Sequence, residues 1–358
     1  MNSINVKSYQ IDMIDVGAAD AFIIHYNISD DTCYNILVDA GNYSDGEKIA
    51  KCFNKWYPNE DIDLAIVTHP DNDHFGGFIK LIEMIDSKDK NAINIKKFWI
   101  NDPGNGHINK DEVKWNSKQG SINVKARSVY DLDETGTKNL ITLLLKHPNI
   151  VFEEKFAEPG IADGKGTYVP KRDMDFPHFL ILGPTKKYYE SLIPNFRNDK
   201  LNFFSNEDDS TYDEKLDLRR NGESLSQYLD DAQEDTSTHN RSSIIFIFEP
   251  TIGNKFLFTG DASVESFEQM YESGYNYTKN VKWLKLPHHG SKHNLNSKLL
   301  RHFNPEIAFA SAEKYEKWLN KCVVNALNKL GTEVYSTHQG GSKLYNGNRE
   351  GYSNAKKL

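Results

Sequence analysis

Short apolar runs separated by turn residues follow one another along most of the chain. Runs of this length, bounded by Gly, Pro, Asn and Asp, predict β-strands. The predicted strands cover residues 9–15, 21–26, 36–39, 62–68, 96–100, 150–152, 178–182, 244–249, 255–259, 283–286, 306–310 and 333–337. Apolar residues at helical spacing predict helices over 46–56, 78–85 and 315–330. Strands that alternate with helices predict an α/β fold.

No linker divides the chain cleanly into separate domains. Residues from about 195 to 238 are rich in Asp, Glu, Asn and Ser and poor in apolar residues, which is typical of an insertion. We therefore predict a single domain over residues 1–358 with a polar insertion at about 195–238.

Composition and charge restrict the classes of partner. The 358 residues include 51 acidic and 43 basic side chains, and the net charge of −8 disfavours nonspecific binding to nucleic acid or to anionic membranes. No apolar run reaches the roughly 18 residues needed to cross a bilayer, and the amino terminus lacks the pattern of a signal peptide. The three cysteines have no CxxC spacing. We predict a cytoplasmic protein with no membrane partner.

The strongest chemical signal follows the predicted strand 62–68. The sequence HPDNDH at residues 69–74 places four potential metal ligands, His69, Asp71, Asp73 and His74, within six residues. In an irregular loop such side chains can converge on a small volume, and their number suits two cations better than one. Histidine nitrogens fit Zn²⁺, and each added carboxylate moves the preference toward Mn²⁺ or Mg²⁺. The alternative is a solvated polar turn with a histidine cap.

Two further candidate motifs come at the ends of later strands. Asp261 follows the apolar run 256–258 and a Thr-Gly turn, and one carboxylate can bridge two cations. His288 and His289 follow the strand 283–286 and precede Gly290, where they could supply a metal ligand and a proton donor. Each motif alone is also compatible with an ordinary turn or loop.

Together these motifs resemble the metallo-β-lactamase superfamily, in particular the branch that includes the metallohydrolase domain of the DNA-uptake protein ComEC. That branch has HxDxDH where the superfamily usually has HxHxDH, and this chain has the HxDxDH form. The sequences DVG at 15–17, VDAG at 38–41, TGD at 259–261 and HHGS at 288–291 occur in the family's order. The resemblance implies a four-layer αβ/βα sandwich with insertions.

The resemblance also implies a ligand set for two divalent ions, Zn²⁺ or Mn²⁺. His69 and Asp71 would bind one ion, Asp73 and His74 the other, with Asp261 as the bridge. His288 would complete the second site, and His239 would complete the first unless Asn240 takes that place. We further predict catalytic roles for Asp73 and His289 and contacts to phosphate for Arg241, Ser291 and Lys292. Asp20 and Asp39 either orient the ligands or only cap their turns.

A pair of cations can lower the pKa of bound water so that a hydroxide nucleophile exists near pH ~7. We interpret the site as that of a metal-dependent phosphodiesterase or nuclease that uses such a hydroxide. Nucleic acid and a small nucleotide, linear or cyclic, are nearly equal as substrates, because the net charge of −8 argues against a polynucleotide. Two alternatives stay open, a carbonyl hydrolase of lactones, thioesters or β-lactams, and a catalytically inert binding module.

Overall fold

The computed structural model describes residues 6–103, 134–196, 229–312, 319–350, 352 and 354–358. The strands in these ranges are β1 (Ser8–Met13), β2 (Phe22–Asn27), β3 (Cys33–Val38), β4 (Leu64–Ile66), β5 (Lys97–Trp99), β6 (Val151–Glu153), β7 (Ile161–Ala162), β8 (Tyr168–Val169), β9 (Phe179–Gly183), β10 (Ile245–Phe248), β11 (Phe256–Phe258), β12 (Trp283–Lys285), β13 (Ile307–Ala310), β14 (Glu333–Ser336) and β15 (Lys343–Tyr345). The helices are α1 (Asp45–Trp56), α2 (Asn72–Asp86), α3 (Glu134–Leu144), α4 (Lys186–Leu192), α5 (Thr238–Arg241), α6 (Val264–Glu268), α7 (Glu272–Tyr277), α8 (Ser297–Phe303) and α9 (Lys321–Lys329).

The strands form two large sheets and a small hairpin of β7 and β8 within the described part of the chain. The first sheet has the order β15-β1-β2-β3-β4-β5-β6, antiparallel up to β3 and parallel from β3 onward. The second has the order β14-β13-β12-β11-β10-β9, with parallel pairing from β11 to β14. Both sheets therefore place the carboxyl ends of parallel strands at one edge.

Three apolar cores separate four layers of structure. Helices α1, α2 and α3 bury residues such as Phe53 and Phe78 against the outer face of the first sheet. An aromatic core lies between the sheets, where the Phe22 ring packs edge-on against Phe258 and Trp283 with centroids 5.9 and 6.0 Å apart. A third core packs α6, α8 and α9 on the second sheet. The structure thus has the αβ/βα sandwich that the resemblance implied.

The boundaries of individual elements differ from the sequence prediction in several places. Helix α2, predicted over 78–85, begins at Asn72, so Asp73 and His74 lie in its first turn and not in an irregular loop. The helix predicted over 315–330 begins at Lys321, because the Asn320 side chain accepts a hydrogen bond from the backbone N–H of Cys322 and caps it there. Residues 313–318 lie outside the described ranges. Strand β15 was not predicted, and it pairs with β1 from the opposite end of the chain.

Part of the predicted insertion can be described. Residues 197–228 of it lie outside the described ranges, but both of its ends pack into the fold, with Phe196 and Leu229 buried. The Phe196 ring contacts the imidazole of His239 edge-on, with centroids 4.9 Å apart. Among the helices described above, none has the length and apolar character needed to cross a membrane.

Candidate metal centre

Four chain segments converge where the two sheets meet at their strand ends. The first segment is the loop after β4 together with the first turn of α2. The other three are α5, the turn after β11 and the turn after β12. A backbone hydrogen bond from the Ile244 N–H to the Thr68 carbonyl, 2.8 Å long, joins the start of β10 to the exit from β4. This contact brings α5, which carries His239, against the HPDNDH loop.

The first cluster of candidate ligands contains His69, Asp71 and His239, all buried. The Nδ1 of His239 lies 2.7 Å from Oδ1 of Asp71, and the Nε2 of His69 lies 3.6 Å from its Oδ2. His69 Nε2 is also 3.9 Å from Oδ2 of Asp261. The structure therefore places His239 on the first cluster, while the neighbouring Asn240 points its amide toward Asp235, at 2.6 Å.

Asp71 shows how the local sequence builds this cluster. It occupies the N-cap position of α2, where an aspartate ordinarily accepts a hydrogen bond from a backbone N–H of the first turn, but its side chain makes no such bond. The carboxylate turns toward His239 instead. Burial alone would raise the pKa of Asp71, and the adjacent His239 and His69 rings hold it well below its usual value. Asp71 is therefore an anion ready to pair with a cation.

The second cluster contains Asp73, His74 and His289, whose ligand atoms lie within 4.8 Å of one another. The His289 Nε2 is 3.4 Å from Oδ2 of Asp73, and the His74 Nε2 is 3.8 Å from the same atom. Asp261 faces this cluster as well, because its Oδ2 lies 3.4 Å from His74 Nε2 and 4.0 Å from His289 Nε2. Asp261 thus stands between the two clusters.

Asp39 fixes the orientation of His74. Its Oδ2 lies 2.8 Å from His74 Nδ1, and the hydroxyl and backbone N–H of Thr68 each donate to the Asp39 carboxylate at 2.8 Å. Burial would lower the pKa of His74, but the carboxylates around the ring, above all Asp261 and Asp39, raise it well above its usual value. The expected orienting role of Asp39 therefore has a direct geometric counterpart.

The surroundings of His288 and His289 differ from the expectation that His288 is the metal ligand. It groups His289, rather than His288, with the second cluster. The His288 side chain is 14% exposed, against 2% for His289, and its Nδ1 lies 3.3 Å from Oδ2 of Asp235. Burial would lower the pKa of His288, but Asp261 and Asp235 raise it to about 9. Both histidines have left-handed backbone conformations, φ 45° and 57°, and their ring centroids lie 5.8 Å apart.

Sequence reasoning missed two residues that contact these clusters. Asp235 lies within the predicted polar insertion and accepts hydrogen bonds from the amides of Asn240 and Asn294, at 2.6 and 2.8 Å. Lys285 is the last residue of β12, and its buried ammonium contacts Asp20 and Asp261. A lysine inside an otherwise apolar strand was the available signal, because an ammonium is almost never buried without a partner.

The expected phosphate contacts have other partners in the structure. The guanidinium of Arg241 pairs with Glu265 at 2.9 Å. The hydroxyl of Ser291 accepts a hydrogen bond from the His293 N–H at 3.2 Å, as the N-cap of a short turn. Lys292 lines a cavity of about 290 Å³ beside that turn, together with His293 and residues of α8.

The donor set suits divalent cations. The Nε2 atoms of His69 and His74 are buried, and neither makes a hydrogen bond within the part of the chain that the structure describes. Both nitrogens are directed toward the Oδ2 of Asp261. Imidazole nitrogens with carboxylate oxygens are the ligands of Zn²⁺ and, as carboxylates accumulate, of Mn²⁺. His69, Asp71 and His239 could hold one ion, and Asp73, His74 and His289 a second, with Asp261 common to both.

Comparison with known proteins gives a family match for part of the chain. Residues 16–150 match the family described as Metallo-beta-lactamase superfamily. The match includes residues 69–74 and ends before His239, Asp261 and His289. Comparison with curated protein sequences gives no match.

The chain also resembles solved structures. One of them is a long form RNase Z from yeast, with 13% sequence identity and a TM-score of 0.35. The similarity covers 86% of this chain and 38% of that chain, so the present chain spans well under half of its length. None of these matches distinguishes the ComEC-like branch.

Proposed function

We propose that the chain is a two-metal phosphodiesterase of the ComEC-like branch, because residues 16–150 match the metallo-β-lactamase superfamily and include the HxDxDH form of its first motif. The arrangement of donors about Asp261 carries this proposal. One oxygen, Oδ2, lies 3.4–4.0 Å from the Nε2 atoms of His69, His74, His288 and His289. A carboxylate oxygen between two sets of nitrogen and oxygen donors is an arrangement that suits a pair of divalent ions.

Bound divalent ions would supply Lewis acidity and lower the pKa of water near the substrate. The chain's own residues do the rest. Asp71 and Asp73 contribute fixed negative charge, and Asp39 keeps His74 in one tautomer by accepting from its Nδ1. We assign the proton donor for the leaving oxygen to His288 Nε2 and the ligand role to His289, the reverse of the roles expected from the sequence. His288 is the more exposed of the two, and Asp235 holds its Nδ1.

The three carboxylates favour phosphoryl over carbonyl chemistry. Asp71 stands where the superfamily usually has a second histidine, so the clusters together hold Asp71, Asp73 and Asp261. Oxygen donors shift the preference toward harder cations such as Mn²⁺, which suit phosphate oxygens. The substrate is nucleic acid or a small nucleotide. With a net charge of −8, a small nucleotide bound mainly by the metals needs no extended basic surface.

The test compares two substrates with two metals. Purified protein, analysed for its metal content and then loaded with Zn²⁺ or Mn²⁺, is assayed on bis-p-nitrophenyl phosphate and on p-nitrophenyl acetate. We expect turnover of the phosphodiester, loss of that turnover in Asp73→Ala, and unchanged turnover in Asp31→Ala, a control that removes an exposed carboxylate. Turnover of the acetate alone would replace the proposal with a carbonyl hydrolase.

A catalytically inert binding module is the remaining alternative. It predicts that neither wild type nor Asp73→Ala turns over the phosphodiester, although Asp73→Ala binds less metal. A panel of single-stranded DNA, RNA and cyclic dinucleotides with added Mn²⁺ then separates the substrate classes. Location in the cytoplasm stays a prediction from the sequence.

A further inference from the structure

A buried lysine lies directly behind the candidate metal centre. Lys285 ends β12, its side chain is 2% exposed, and its ammonium contacts three oxygen atoms. These are the carboxylate of Asp20, the backbone carbonyl of Gly260 at 2.7 Å, and Oδ1 of Asp261 at 3.2 Å. Burial would lower the pKa of Lys285, but Asp20 and Asp261 raise it above its usual value. The lysine therefore carries a fixed positive charge inside the protein.

The two oxygens of Asp261 face different surroundings. Oδ1 points at the Lys285 ammonium, while Oδ2 points at the histidine nitrogens of both ligand clusters. The backbone of Asp261 is also held, because its N–H donates to the Ser243 hydroxyl at 3.0 Å. A half-turn of the carboxylate only exchanges two equivalent oxygens, so one oxygen faces the lysine and one faces the ligand clusters in either orientation.

The same ammonium also pairs with one member of a further group of buried donors. Asp20, Asp39 and His74 have ligand atoms within 4.8 Å of one another and are all buried. Lys285 pairs with Asp20 in this group, and burial would raise the pKa of Asp20 while Lys285 lowers it below its usual value. The Asp20 carboxylate also lies 3.7 Å from His289 Nδ1 and 3.8 Å from His74 Nδ1. A permanent cation therefore already compensates the carboxylates behind the two ligand clusters.

We infer that Lys285 is a positioning residue that reserves Oδ2 of Asp261 for both metal ions. With Oδ1 engaged by the lysine, Asp261 would offer bound ions a single oxygen, Oδ2, instead of one oxygen for each ion. This inference rests on the proposed metal centre. The rival interpretation is that Lys285 is only the charge partner of Asp20, buried for folding and indifferent to how Asp261 meets the metals.

A double-mutant cycle separates the two interpretations. Lys285→Met alone leaves Asp20 with an uncompensated buried charge, so it destabilises the fold and also raises the negative charge that attracts cations. Adding Asp20→Asn restores the net charge that the buried site has in wild type, but it still leaves Oδ1 of Asp261 without the lysine. Asp20→Asn alone keeps the lysine on Asp261. The cycle thus separates the charge of Lys285 from its contact with Asp261.

The readouts are metal stoichiometry and affinity, from competition with a chelator, and the EPR spectrum of the Mn²⁺-loaded protein. Wild type should bind two ions and show the multiline spectrum of an exchange-coupled pair. Asp20→Asn also removes the anion beside His289 and His74, so it is the reference for the double variant. Compared with Asp20→Asn, the double variant should retain a cooperative thermal transition, bind the second ion at least about tenfold more weakly, and lose the coupled spectrum. If the double variant binds both ions with the affinity of Asp20→Asn and gives the same spectrum, Lys285 does not position Asp261.

These outcomes are distinct from failure of the proposed function. A wild-type protein that binds no divalent ion would refute the metal centre and this inference together. Wild type that binds two coupled ions but does not hydrolyse bis-p-nitrophenyl phosphate would refute the phosphodiesterase proposal alone. The inference about Lys285 would then stand on the binding and EPR data.

Discussion

Replacing Gly77 by alanine would force helix α2 away from the loop that carries Asp39. Gly77 lies in the second turn of α2, and its N–H donates to the Gly41 carbonyl at 3.0 Å. A Cβ on Gly77 would lie 1.9 Å from the backbone oxygen of Ala40 and 2.9 Å from its carbonyl carbon. Both are backbone atoms, so no side-chain rotation relieves the clash, and helix and loop must separate.

The expected cost follows from two opposing effects. Overpacking of a tight contact costs about 1–3 kcal/mol, and a clash with backbone belongs at the upper end. Alanine in place of glycine inside a helix returns ~1 kcal/mol. The net loss in the free energy of unfolding is therefore ~2 kcal/mol. The displacement also reaches the metal centre, because Ala40 follows Asp39, whose carboxylate holds His74 at 2.8 Å. Metal affinity should fall by about tenfold or more.

The assay is urea unfolding of wild type and Gly77→Ala in the metal-free state, followed by metal titration of each folded protein. Gly274→Ala in α7 is the matched control. A Cβ there has its nearest neighbour, the Leu182 carbonyl oxygen, at 3.5 Å, an ordinary contact. The control should be unchanged or stabilised by up to ~1 kcal/mol, with wild-type metal affinity.

Equal unfolding free energies for the two variants would show that helix and loop can relax without cost, and the close approach would then have no energetic significance. Loss of stability without loss of metal affinity would show that Asp39 is not coupled to the packing of α2. Either result contradicts the reasoning that links this glycine to the site.

Three further predictions concern the site and its surroundings. Removal of divalent ions with EDTA should lower the melting temperature of wild type and leave that of Asp261→Ala unchanged. The loss of stability should be about 2.7 kcal/mol per site if the free ion was at 100 times its dissociation constant. Asp235→Asn removes the anion that holds His288 Nδ1 and should reduce phosphodiester turnover about 10- to 100-fold, whereas Asp231→Asn, at an exposed position, should not. Burial lowers the pKa of His178, so the unfolded chain takes up its proton first as the pH falls. Stability should therefore decline below about pH 6.5, and His178→Gln should flatten that decline in unfolding titrations compared with wild type.

The sequence by itself determined the alternation of strands and helices and the position of the metal-binding motifs. Each predicted strand has a counterpart within a few residues, because a run of buried apolar side chains is visible in one dimension. The HPDNDH motif could be identified for the same reason, since its donors are neighbours in the chain and its loop follows a buried strand.

Only the tertiary structure decided which of the donor side chains lie together in each cluster. His239 contacts Asp71 while Asn240 contacts Asp235, and His288 and His289 likewise have different surroundings. These differences depend on the direction of each side chain at a turn, where adjacent residues give no periodic signal. Asp235 and Lys285 were invisible as site residues because their partners lie far along the chain. Lys285 and Asp20 are joined only when two sheets pack together, and the burial that makes their charges matter exists only in the folded protein.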